Sequence, residues 1–394
     1  MPDLTDALTL PCGLVLRNRL AKSAMSEGLA ERDGSPGNRL QRLYRRWGQS
    51  GLGLIITGNA VIDRHHVERP GNVLVEEGAN VRALSRWAEA AAQDGARVIL
   101  QINHAGRQTG RMVNPRPLGP SAVAAVKFMR MFGRSRAATI NELEGIRRSF
   151  LHAALTAESA GFSGVQIHAA HGYLLNQFLA PDTNQRTDEF GGSLANRARL
   201  LLSIVRDVRA ATKPGFAVTV KLNTSDFHHG GLSEDDAVEV VRLLDGEGVD
   251  LLELSGGTYA KGASFGEGVT PSVRESYFRP FADRIRRHTR MPIMLTGGFR
   301  SRSAMDQAIG TSTDVVGLAR PLALEPDLAR SLLAQAEAQS RVKPKHFFVA
   351  KLRGAAELAW YGRQLGRVAD GKEVNPNLSM GWSLLVRMTQ DWRA

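Results

Sequence analysis

The chain has 394 residues, 43% hydrophobic and 23% charged: material for a large core, and on length alone for two or three domains, unless one (β/α)8 barrel with insertions takes most of it. Cys12 is the single cysteine, which excludes an intrachain disulfide, a CxxC motif and a cysteine-ligated iron–sulfur cluster. The net charge of +12 comes with scattered basic residues and no helix-turn-helix, RRM or zinc-finger pattern, so attraction of anionic small molecules is expected and nucleic acid is not.

The opening, MPDLTDALTL, carries acids and no Lys or Arg before Arg17, unlike a signal peptide. No apolar run approaches the roughly 20 residues that span a bilayer. A cytoplasmic protein without a membrane partner is expected. LTLPCGLVLR (8–17) reads as a hairpin turning at Pro11–Gly13 and plugging the bottom of a barrel, with Cys12 in a structural role. Short apolar runs follow at LAKSAM (20–25), GLIITG (53–58) and RVILQI (97–102). They are rich in Val, Ile and Leu without clean alternation, as suits strands buried on both faces of a parallel sheet. Between the second and third, NVRALSRWAEAAAQDG (80–95) has helical spacing and ends at Gly95, a C′ glycine.

The stretch from Asn103 to Ile140 is too long for a simple βα loop and is read as a flap over a pocket. GVQIHA (164–169) is the fourth run. SLANRARLLLSIVRDVRAAT (193–212) is a helix with Ser193 as N-cap, followed by AVTVKL (217–222). SEDDAVEVVRLLDGEG (233–248) is a helix with Ser233 as N-cap and three acids in its first turn, followed by VDLLEL (249–254). RIRRHTR (284–290) is the solvated end of a helix before PIMLT (292–296), and DVVGLA (314–319) completes the set. Eight strands alternating with helices predict an α/β fold, a (β/α)8 TIM barrel over residues 1–340. Residues 341–394 contain a further helical segment, expected to pack on the barrel without forming a separate domain, either as a cover or as a homodimer contact.

The polar residues gather after the C-terminal ends of these runs: Ser23–Ser26, Gly58–Asn59, Gln101–His104, His168–Tyr173, Lys221–Asn223, Ser255–Gly257, Gly297–Gly298 and Arg320. In (β/α)8 enzymes that rim carries the active site. Gly297 and Gly298 after the seventh strand, with Ala319 and Arg320 after the eighth, suit a phosphate. Tight turns alone would also explain the glycines, and a sugar-phosphate isomerase or aldolase would fit as well. IHAAHGYLLNQF (167–178) admits a metal pair, but no carboxylate stands beside His168 and His171. It also admits buried core histidines. The third reading is two imidazole N–H groups that hold a carbonyl oxygen, with Tyr173 as proton donor. Gln101 offers a donor and an acceptor to an amide-like edge. Lys221 offers a cation to a ligand, or an ion pair at the barrel end. A planar, amide-edged, phosphorylated ligand that accumulates negative charge is what reduced FMN presents.

From Leu10 to Leu328 the chain resembles the old yellow enzyme family of FMN-dependent NAD(P)H oxidoreductases. The likeness is carried by LPCGLVLRNRLAKSAM, GLGLIITGNAVID, LQINHAGRQ, GPSAV, GVQIHAAHGYLLNQFLAPDTNQRTDEFGGSLANRARLLL, VKLN, GVDLLELSGG, LTGGFRS and VGLARPL. The resemblance implies one non-covalent FMN at the rim. Ser23, Ala24, Met25 and Ser26 would line it, Asn59 would lie near it, Gln101 and Lys221 would contact its ring system, and Gly297, Gly298, Ala319 and Arg320 would lie at its phosphate. His168 and His171 would bind the substrate carbonyl and Tyr173 would protonate the α-carbon. NADH or NADPH would reduce the flavin first in the same pocket, giving ping-pong turnover of a small α,β-unsaturated carbonyl substrate. Ala24 stands where many members have Pro, and Ser26 where some have a redox-tuning Cys. One subgroup places an aromatic near Gly28, and a more open pocket is expected on that side here. Lacking a Cys cluster, the chain is expected to take electrons directly from the nicotinamide. Quinone, nitro-compound or free-flavin reduction, a sugar-phosphate lyase or isomerase, and an idle flavin-binding protein are the competing readings.

Overall fold

A computed structural model describes residues 2–124, 131–256, 275–341, 347–349 and 352–391. Gly257 and residues 125–130 of the flap therefore lie outside the described residues. Eight parallel strands form the barrel: β1 (Leu20–Lys22), β2 (Leu54–Ile56), β3 (Arg97–Asn103), β4 (Gly164–Ala169), β5 (Ala217–Asn223), β6 (Leu251–Ser255), β7 (Ile293–Thr296) and β8 (Val315–Leu318). The sheet closes because β8 pairs with β1, with Gly317 opposite Ala21, and β3 pairs with β4, with Gln101 opposite Gln166. The fold is thus the expected (β/α)8 barrel.

Every residue of β4, β5 and β6 is buried. Both faces are covered, which explains why the sequence runs lack alternation. The hairpin of Leu8–Thr9 and Val15–Leu16 closes the N-terminal end: Leu10 and Leu16 pack inside the barrel against Ala21, Leu54, Ile56, Ile99, Leu251, Met294 and Val315. A larger core fills the space between the sheet and its helices.

The helical start signals work as the sequence suggests. Helix α1 spans Asn38–Gly48 and α2 Val81–Ala91; a 3-10 turn, Gln93–Gly95, carries the second to its left-handed glycine at φ 80°. α3 (Ile140–Ser159) begins with a capping box, Thr139 with Glu142, that the sequence reading passed over. After the short α4 (Leu174–Leu179), α5 (Leu194–Ala211) and α6 (Glu234–Leu244) are capped by Ser193 and Ser233, whose hydroxyls accept from Asn196 N and Asp236 N. Then come α7 (Arg279–Arg286), α8 (Arg302–Ala308), α9 (Arg320–Leu324) and α10 (Leu328–Ala334).

Two additions shape the site. The described part of the flap is pinned to the loop after β4. Gln108 Nε2 donates to His171 O at 2.9 Å, and Arg186 Nη1 donates to Pro120 O at 2.9 Å. At the C-terminus, α11 (Arg353–Ala369) and α12 (Met380–Asp391) pack on the barrel wall near α1 and α9. Trp360, Ala356 and Ala359 meet Leu324, and Arg42 Nη1 donates to Ala369 O at 2.8 Å. α12 turns Trp382, Leu385 and Met388 toward solvent.

Candidate active site

The local chain after β4 sets the position of its three aromatic rings. Strand alternation sends Gln166 and His168 into the barrel. The chain then turns through His171 at φ 60° and Gly172 at φ 78°. A left-handed non-glycine residue costs of order 1–3 kcal/mol and persists where neighbours over-determine it. Here Asn223 Oδ1 accepts His171 N–H at 3.2 Å, Gln108 holds its carbonyl, and Asn176 Oδ1 accepts Gly172 N–H at 2.6 Å. Tyr173 stands at the N-terminus of α4. The result is His168 edge-on to His171, ring centroids 5.2 Å apart, and edge-on to Tyr173 at 4.9 Å.

Both imidazoles are neutral at physiological pH. Burial pushes His168 well below its ordinary value, and the same cause brings His171 to about 3. Ala170 N–H donates to His168 Nδ1 at 3.3 Å, so the hydrogen-bond network assigns the His168 proton to Nε2, as a donor. His171 Nε2 meets Ser255 Oγ at 3.0 Å. A consequence for stability follows. Between pH 6.5 and about 3 the unfolded chain binds protons that folded His171 refuses, so stability falls as pH drops through that window. Urea midpoints at pH 7 and pH 5 should show the loss in wild type and a smaller loss in His171→Gln.

Below the histidines a chain of polar side chains crosses the barrel. Gln101 Nε2 donates to Gln166 Oε1 at 2.8 Å, and Gln166 Nε2 donates to Glu253 Oε2 at 2.9 Å. Glu253 Oε1 also accepts from Lys221 Nζ at 2.8 Å and from Thr296 Oγ1 at 2.8 Å, and Thr296 meets Ser23 Oγ at 2.7 Å. Lys221 thus stands on β5 in an ion pair with Glu253, as its reading as a barrel ion pair expected.

Toward β7 and β8 three glycines let neighbouring groups approach the backbone closely. Gly297 and Gly298 have φ of 144° and 82°, and a Cβ on Gly298 would lie 2.7 Å from the Tyr277 ring. A Cβ on Gly317 would collide with Thr296 Oγ1 and Ser23 Oγ. Ala319 precedes α9, and Arg320 is its first residue. From α11, Tyr361 reaches this end. Burial raises its phenol, and Arg320 and Arg300 are close enough to act against that rise.

The sequence profile of the NADH:flavin oxidoreductase / NADH oxidase family matches residues 12–339. The chain belongs to this family. It is an FMN-dependent oxidoreductase of the old yellow enzyme family. The NADH-dependent flavin oxidoreductase iliE of Hypocrea jecorina is 34% identical, over 92% of this chain and 95% of its own length. The NADH-dependent flavin oxidoreductase nadA of Aspergillus parasiticus is 38% identical, over 80% of this chain and 75% of its own. The structure of morphinone reductase in complex with tetrahydroNAD superposes with a TM-score of 0.70 at 27% identity, over 87% of this chain and 93% of that one.

The residues present suit the family's FMN. The mouth of the barrel holds a buried cation and a glutamine amide with one N–H and its oxygen still to place. Asn103, two residues beyond Gln101 on β3 and so on the same face, is fully buried with neither side-chain amide atom bonded. A polar ligand above Gln101 would satisfy it.

Two further places differ from the sequence reading. The Gly28 side of the pocket is not open: a Cβ there would lie 2.8 Å from Cζ of Arg69, whose guanidinium fills the space. Beside it, Glu68 accepts from Ser26 Oγ at 2.6 Å and from Asn59 Nδ2 at 2.9 Å, tying these two predicted cofactor residues to one carboxylate. Ala24 packs against the barrel interior and Met25 against the outer core. Asp63, His66 and His104 cluster with metal-ligand composition. His66 is engaged at both ring nitrogens, with Nε2 accepting Leu118 N–H at 3.0 Å and Nδ1 meeting Asp63 at 2.6 Å, while His104 Nδ1 accepts Gly106 N–H at 3.1 Å and its Nε2 faces Asp63 at 3.7 Å. The group acts as a staple between the β2 loop and the flap.

Gln166, Glu253 and Thr296 are the site residues that sequence reasoning missed. Of the two acids in the run VDLLEL, the second, flanked by leucine on both sides, was the available signal for Glu253.

Proposed function

We propose that this oxidoreductase reduces the C=C bond of α,β-unsaturated carbonyl compounds with hydride from NADH. FMN, held by the residues named below, would supply the hydride-transfer chemistry. The observation that supports this reading is the neutral, buried pair His168 and His171 with the Tyr173 ring packed beside it. A carbonyl oxygen placed between the imidazoles accepts the N–H of His168 Nε2 and a second N–H from His171. Each such donor lowers the energy of charge developing on that oxygen by a few kcal/mol in a dry site. The β-carbon then becomes electron-poor. The Tyr173 hydroxyl delivers a proton to the α-carbon on completion of the step. Gln101, Lys221, Ser23–Ser26, Asn59, Gly297, Gly298, Ala319 and Arg320 hold the cofactor. One pocket serves both half-reactions, so the nicotinamide leaves before the enone enters and kinetics are ping-pong.

The test is anaerobic reduction of the purified yellow protein with NADH and with NADPH, followed by reoxidation with cyclohexenone or menadione. Reoxidation by cyclohexenone at or above the menadione rate is expected. Reoxidation by menadione alone would move the assignment to quinone reduction on the same scaffold.

A further inference from the structure

Glu253 stands in the middle of β6 with no accessible surface, opposite Lys221 of β5 in the strand register. Its two oxygens take three hydrogen bonds: Lys221 at 2.8 Å, Thr296 at 2.8 Å and Gln166 at 2.9 Å. A buried carboxylate with three donors is ionised and can only accept. Two consequences follow from elementary electrostatics and hydrogen-bond grammar.

The first concerns charge. Lys221 is buried, and its ammonium is neutralised by a carboxylate in direct contact. A ligand above the pair meets a dipole in place of a full positive charge. The second concerns direction. Because Glu253 cannot donate, Gln166 must turn its amide nitrogen toward it. Gln166 Oε1 then faces Gln101 and accepts Gln101 Nε2 at 2.8 Å. Gln101, an amide whose two ends would otherwise be interchangeable, is left with its oxygen and one N–H for a ligand. The orientation is imposed from three strands away.

We propose that Glu253 is the positioning residue of the cofactor site: it cancels the charge of Lys221 and, through Gln166, fixes which way the Gln101 amide faces FMN. This rests on the reading that Gln101 and Lys221 line the flavin. Two-electron reduction adds negative charge to the flavin's pyrimidine side, so an unopposed Lys221 would favour the reduced cofactor over the oxidised one. Paired with Glu253, it discriminates less, and the bound cofactor remains a stronger hydride donor. Gln101 would then have its oxygen available to an N–H of the cofactor and its remaining N–H available to a carbonyl.

The experiment measures the FMN midpoint potential, by equilibration with a reference dye, and the dissociation constant of oxidised FMN, by fluorescence, on the full chain. Glu253→Gln should tighten binding of reduced relative to oxidised FMN about tenfold, a rise of about 30 mV for a two-electron couple. Gln166→Met, which cuts the relay and leaves the ion pair, should weaken FMN binding severalfold at unchanged potential. Lys221→Met should lower the potential, and Lys221→Met with Glu253→Met should return it to the wild-type value. That double variant keeps the test available if Glu253→Gln fails to fold, since a buried ion pair is often replaceable by apolar residues of like size. FMN bound by Glu253→Gln at an unchanged potential, or a double variant as low as Lys221→Met, overturns the inference while leaving the site reading intact. Wild-type protein that takes up no FMN removes the site reading itself, and the inference with it.

Discussion

Tyr173→Phe is expected to slow reoxidation by cyclohexenone by a factor of about 10²–10⁴, the usual worth of a positioned proton donor. Reduction of the same variant by NADH should proceed at the wild-type rate, because that half-reaction needs no proton from Tyr173. The split is informative because the substitution is nearly isosteric. Tyr173 is buried and its ring packs edge-on against His168 at 4.9 Å, and Phe keeps that packing. Rapid-mixing measurement of each half-reaction reads the two rates separately. An enone rate in Tyr173→Phe within threefold of wild type would remove Tyr173 from the reaction and point to solvent as the proton source.

The largest expected loss of stability lies just outside the pocket, at Glu27. Lys22 at the end of β1 is fully buried, and its Nζ contacts Glu27 at 3.4 Å, Tyr44 OH at 3.2 Å and Ile56 O at 2.9 Å. Tyr44 donates to Glu27 at 2.6 Å and accepts Gly58 N–H at 2.7 Å. The cluster therefore ties the Ser23–Gly28 loop to the loop after β2, two segments of the proposed cofactor site. Glu27→Ala leaves a buried ammonium without its counter-charge, which costs about 3–5 kcal/mol. Lys22→Met with Glu27→Leu should recover most of that loss, and urea denaturation of the three proteins gives the comparison. A single-variant loss below about 1 kcal/mol would show that the charge is solvated by other means.

The same lysine gives a pH signature. Burial outweighs Glu27 and holds Lys22 down to about 8 from 10.5. From pH 8 upward the folded chain releases a proton that the unfolded chain still binds, so this group favours folding increasingly as pH rises toward 10.5. That contribution to the slope should be lost in Lys22→Met.

The barrel and most of its rim were legible because they depend on short-range pattern. Runs of Val, Ile and Leu bounded by Gly mark buried strands, and Ser193 and Ser233 mark helix starts. His168, His171 and Tyr173 come together because six consecutive residues turn them onto one spot, so their spacing alone announced them. The capping box at Thr139 was equally local and was overlooked. Gly28 misled: the absence of a side chain at one position says nothing about which distant residue fills the space, and Arg69 does so from the loop after β2.

By itself the sequence determined the strand and helix alternation, the family, and the identity of the polar groups at the strand ends, since each follows from periodicity or from a contiguous motif. Only the tertiary structure decided how those groups are wired. Gln166 meets Glu253 across 87 residues of chain, and Ser23 meets Thr296 across 273. Closing the sheet into a cylinder makes such pairs neighbours. Burial then favours a partner for each donor there, Asn103 being the exception, and no linear pattern records which one it finds.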